Sequence, residues 1–107
     1  MELNKSELQA KWAAEDWQET EQAIRELLIS SQGRRLLRRW LGFGKIGVNP
    51  FASNALAMSF SCGELNVGQQ ILADVITTNP EGWITLQKEM NDEHRTRDSA
   101  YTNADND

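Results

Sequence analysis

Asn54-Ala-Leu-Ala-Met-Ser-Phe60-Ser-Cys-Gly-Glu-Leu-Asn-Val67-Gly-Gln-Gln-Ile-Leu-Ala-Asp-Val75-Ile-Thr-Thr78 is the least charged part of the chain, with two acids and no base. Leu56, Phe60, Val67, Ile71 and Val75 recur at about helical spacing, with Gly63 and Gly68 on or beside the same stripe. That pattern predicts a helix with one apolar face. Each interior glycine costs roughly 1 kcal/mol relative to alanine. Their use is close approach by another helix, because they carry no side chain to hold it away. A central core helix is therefore expected here. Glu64 lies among the apolar positions. An unpaired carboxylate in a core is costly, so Glu64 either sits wet at the edge of the stripe or pairs with an arginine of a neighbouring helix. Cys62 reads as a small packing residue, with no nearby histidine to activate it.

Upstream, Gly42 to Ser53 reads as the main loop. Gly42, Gly44, Gly47 and Pro50 end one helix and reverse the chain before Ser53 or Asn54 caps the next. Phe43, Ile46, Val48 and Phe51 are apolar for a free linker, so most are expected to tuck against the helices. No Gly-Lys-Ser/Thr sequence occurs in this loop, which excludes a P-loop. Before the loop, a short helix is expected over about residues 32–41, capped by the Ser31-Gln32-Gly33 turn. On it, Leu36, Leu37, Trp40 and Leu41 fall on one side, and Arg34, Arg35, Arg38 and Arg39 fall opposite. The guanidinium face has two readings. It pairs with the acidic first and last helices, or it meets phosphates of a nucleic acid or an acidic protein surface.

Residues 4–29 read as a long first helix, started by Asn4 or Ser6. Its apolar residues Leu8, Trp12, Trp17, Ile24, Leu27 and Leu28 fall only loosely on one side. Its first half is expected to project and its second half to pack. Trp12 and Trp17 are thus either partly buried in the core or exposed contacts for a partner or a second copy. At the other end, Asn79-Pro80-Glu81 starts a helix of about 80–94, with Trp83, Ile84, Leu86, Gln87 and Met90 as its packing face. His94 reads as a lone exposed histidine. From Arg95 on the chain is polar and is expected to form a flexible acidic tail over 96–107, with Tyr101 as its one anchor. The domain reading is one helical domain over 1–95 followed by that tail.

The 107 residues support one small domain. A net charge of -5 conceals a pattern: residues 1–29 carry -4, 30–48 carry +5, 49–79 carry -2 and 80–107 carry -4. A basic belt on an acidic chain argues for contacts between segments or with a partner, and against broad nucleic-acid binding. One cysteine and one histidine make neither an intrachain disulfide nor an ordinary structural zinc site. No apolar run is long enough for a membrane span, and no leader peptide is read. No cofactor is expected, and no paired-carboxylate, Ser/His or metal-ligand constellation offers a catalytic site.

Ser31 to Leu41, the Gly42-Phe43-Gly44 loop, Asn54 to Phe60, Gly63, Asn66-Val67-Gly68 and Ile71-Leu72 together resemble a family of small proteins encoded among the head and tail-assembly genes of tailed bacteriophages. There, a Ser-x-x-Gly-x-x-Leu helix is followed by a loop and a helix containing Asn-Val-Gly. The resemblance covers about residues 24–92. It departs at Cys62, Glu64 and Leu65, where family members often carry an acid before the central glycine and bases after it. The resemblance implies a virion-associated or assembly role, without enzymatic activity, in the particle or in the host cytoplasm during assembly. Taken with the residues, it gives three expectations. The first is an all-α bundle of about four helices that docks in several copies onto portal, head or internal virion proteins through Trp12, Trp17 and the arginine face. The second is a packaging accessory touching the phage DNA backbone through Arg34, Arg35, Arg38 and Arg39. The third is a host-directed inhibitor. None involves a membrane or a small-molecule substrate.

Overall fold

The computed structural model describes residues 2–105 and is built of four helices: α1 (Lys5–Ile29), α2 (Ser31–Phe43), α3 (Ala55–Thr78) and α4 (Pro80–Asp105). Local chemistry sets each start. The Asn4 side chain accepts from the Glu7 N–H at 2.8 Å and donates to its carboxylate. Ser30 Oγ accepts from the Gly33 N–H at 2.9 Å. Asn54 accepts from the N–H groups of Leu56 and Ala57, and Asn79 from those of Glu81 and Gly82. Each cap satisfies first-turn donors that have no partner inside the helix. The cap of α2 is thus Ser30, one residue earlier than the Ser31 turn read from the sequence.

The core is small: Ile24 and Leu28 of α1, Leu37 and Leu41 of α2, Val75 of α3 and Leu86 of α4. Leu27, Ile46, Ile71, Leu72 and Trp83 pack partly buried around it. Glycine makes the corners tight. A Cβ on Gly33 would stand 2.2 Å from the Leu27 carbonyl oxygen, and one on Gly68 would stand 2.4 Å from that of Gly44. Helix backbones meet there at a separation that no side chain permits.

Only part of each long helix reaches this core. α1 contributes from Glu21 on, α3 from Gly68 on, and α4 up to Glu93; the remainders are mostly exposed, with Leu8, Trp17, Ser61, Glu64 and Leu65 half-buried. The molecule is correspondingly elongated, 75 × 39 × 17 Å, with a radius of gyration of 18.7 Å. A compact chain of this length has a radius of about 13 Å. The surface is 8358 Å², whereas a compact monomer of this mass exposes about 6000 Å².

The structure departs from four expectations. The segment expected to be a flexible tail is helical as far as Asp105, and Asn106 and Asp107 lie outside the described residues. After Gly82 no glycine or proline interrupts the chain. Its backbone groups therefore bond within the helix although residues 94–105 bury nothing. The apolar face of α3 is core only in its second half: Leu56 is 83% and Phe60 71% exposed. The close approach expected at both glycines of that helix occurs at Gly68 alone, and a Cβ on Gly63 would meet nothing within 4 Å. Of the loop residues, Ile46 packs, while Phe43, Val48 and Phe51 are exposed. Ile46 is held by its N–H bonding to the Leu41 carbonyl, in a turn where Lys45 and Gly47 take positive φ.

Candidate docking surfaces

The arginine face divides into two pairs. Arg34 and Arg38 lie next to the buried Leu37 and turn toward α4. Arg34 Nε meets the Glu89 carboxylate at 2.7 Å, and its Nη1 donates to the carbonyls of Leu28 and Ile29 at 3.0 and 3.2 Å. It thereby caps the end of α1, where unpaired carbonyls favour a cation. Arg38 Nη1 donates to the other oxygen of Glu89 at 3.0 Å, and its Nη2 donates to Glu93. The Arg38 side chain is only 11% exposed. Its Nε is buried without a partner among the described residues. Two arginines and two glutamates thus fasten α1, α2 and α4 together through charge-assisted bonds.

Arg35 and Arg39 point outward and have no ion pair among the described residues. The Arg39 guanidinium lies 4.8 Å above the Phe43 ring centroid, a cation–π arrangement that holds it in place. A groove of about 440 Å³ runs between α2 and α4, lined by Arg35, Arg38, Arg39 and Gly42 on one side and Glu93, His94 and Arg97 on the other. Its cations outnumber its one carboxylate, so it is a basic strip on an acidic molecule.

The second surface is apolar. Trp40, Phe43, Gly44, Val67 and Ile71 border a shallow depression of about 290 Å³ with Glu64 at its rim. Glu64 is half-buried and makes no ion pair among the described residues. From this depression the face continues along the projecting half of α3 through Val67, Phe60 and Leu56, with Phe51 and Val48 of the loop also exposed. Trp12 and Trp17 are elsewhere, on α1 before its first buried residue, Ile24. Trp12 is exposed and Trp17 half-buried. Cys62 is exposed.

Sequence reading gathered the four arginines but did not separate them. The missing signal is Glu89 and Glu93, one turn apart on α4, which match Arg34 and Arg38, one turn apart on α2. Arg97 falls in the segment expected to be a tail, and His94 reads as a lone exposed histidine at the end of the last helix, so neither is assigned to that face from the sequence. Among the described residues no helix is long and apolar enough to cross a membrane, and no cluster of His, Cys, Asp and Glu suits a metal. Compared with family models, with curated proteins and with solved structures, the chain matches none.

Proposed function

We propose that this chain is a small bacteriophage structural or assembly protein. It acts by docking in several copies onto virion proteins and carries no catalytic chemistry. The observation behind this reading is the first half of α3, where Leu56, Phe60 and Val67 stand exposed on a face that the chain does not cover. Contiguous apolar surface of that kind marks interaction sites, whereas scattered exposed apolar residues do not. The surface beyond that of a compact monomer of this mass is roughly 2300 Å². A specific interface of standard size takes about 800 Å² from each partner. The resemblance of residues 24–92 to phage head and tail-assembly products suggests the setting, the virion or the host cytoplasm during assembly.

The test is quantitative mass spectrometry of purified particles from the phage that encodes the chain. Presence at a fixed ratio to the portal supports a virion component. Absence from both mature particles and assembly intermediates refutes the reading and favours a host-directed role.

The basic groove favours a second reading, contact with the DNA backbone through Arg35, Arg39 and Arg97. Such contact neutralises phosphates and falls steeply with salt. Replacing Arg35 and Arg39 by glutamate abolishes retention on duplex DNA if the groove is the site. Unchanged retention removes it.

A further inference from the structure

Leu56, Phe60, Gly63 and Val67 follow one another on α3 at steps of four, three and four residues. This is the seam spacing of paired helices, in which residues three and four apart face a neighbour. All four positions are exposed, and the space above Gly63 is open to 4 Å. The only charge between residues 55 and 67 is Glu64, beside the seam. No charge on the seam itself opposes the approach of a like helix.

The midpoint of the seam falls between Ser61 and Cys62. Reversing the helix about a two-fold axis at that point brings Leu56 opposite the partner's Val67, and Phe60 opposite the partner's Gly63. The largest side chain of the seam thus meets the one position without a side chain, twice over. Glu64 falls opposite the partner's Ser59, so the two glutamates do not face each other. A face that fits its own reversed copy is what an isologous interface requires. The seam is part of the roughly 2300 Å² that each chain exposes beyond a compact monomer of its mass, the rest lying largely on the projecting ends of α1 and α4.

We infer that the occupant of this face is a second copy of the chain, paired antiparallel through residues 56–67 of α3 with Phe60 seated on the partner's Gly63. The inference rests on reading the uncovered face as an interface and adds its occupant and register.

Cys62 lies on the far side of the helix from the seam, so the register is tested with Leu56→Cys and Val67→Cys in a Cys62→Ser chain. The two positions are about 16 Å apart along one helix but opposite each other across the pair. A short bismaleimide should therefore join full-length chains into covalent dimers. Gly63→Leu tests the seat: a side chain there meets open space within its own chain, so helicity and melting of the monomer are kept. In the pair it takes the space of Phe60, weakening dimerisation by roughly tenfold to hundredfold in sedimentation equilibrium. A chain that sediments as a monomer at every concentration overturns the inference. So does a dimer that Gly63→Leu leaves unchanged or that the Leu56→Cys, Val67→Cys chain fails to cross-link. If the monomeric chain is still found in particles at a fixed ratio, docking stands and only the self-pairing fails. Monomer in solution together with absence from particles defeats both.

Discussion

Placing a methyl group on Gly68 asks two backbones to separate. The Cβ of Gly68→Ala would stand 2.4 Å from the Gly44 carbonyl oxygen and 2.8 Å from the Gly44 Cα and carbonyl carbon. No side chain is available to rotate aside. Restoring ordinary contact moves the end of α2 off α3 by about 1 Å, at a place where Leu41 and Val75 are fully buried. Overpacking of this kind costs about 1–3 kcal/mol. Better helix propensity returns up to about 1 kcal/mol. Because every clashing atom is backbone, the cost falls in the upper part of that range, and the net loss is about 1–2 kcal/mol, which lowers the melting temperature by roughly 5–15 °C in a domain of this size. Thermal unfolding followed by far-ultraviolet circular dichroism measures it. Gly42→Ala is the matched control, because a Cβ on Gly42 meets nothing within 4 Å; it should melt at or slightly above the parent temperature. A Gly68→Ala protein at least as stable as the parent refutes the glycine–glycine crossing as the joint between α2 and α3.

The ion-pair cluster gives an ordered pair of outcomes. Glu89→Gln leaves both Arg34 and Arg38 without their shared carboxylate and should cost about 1–3 kcal/mol in urea unfolding. Glu93→Gln removes one bond from a more exposed acid and should cost under about 1 kcal/mol; the reverse order contradicts the assignment of Glu89 as the hub. Deleting residues 95–107 removes helix whose described residues are all exposed. It should change stability by no more than about 0.5 kcal/mol, and a larger loss shows that this arm packs.

The fold was legible where a signal is local. Asn4, Asn54, Asn79 and Pro80 mark helix starts by side-chain chemistry that acts over three residues, and the elements begin there. The apolar stripe of residues 54–78 correctly indicated a helix. Periodicity reports that a face is apolar; it carries no information on whether the same chain covers it. Leu56 and Val75 look alike in sequence, yet one is exposed and the other fully buried. For the same reason Gly63 and Gly68 were indistinguishable, although only Gly68 meets a backbone. The arginine face was readable as a charge cluster, but its division was not. Which guanidiniums are taken depends on how α4 lies against α2, a long-range matter that places Glu89 and Glu93 beside Arg34 and Arg38 and leaves Arg35 and Arg39 outward. The polar composition after Arg95 implies little burial there, and even Tyr101, the one expected anchor, is exposed. It did not preclude a helix, because helical hydrogen bonds need no tertiary partner.

The central claim is that the first half of α3 is an interface, and amide hydrogen exchange across a series of protein concentrations tests it most directly. Peptides spanning residues 55–67 should exchange quickly in the dilute chain and gain protection as copies associate, while residues 68–78, already packed through Gly68 and Val75, change little. Exchange of residues 55–67 that stays fast at every concentration, or protection that appears on α1 or α4 instead, contradicts it.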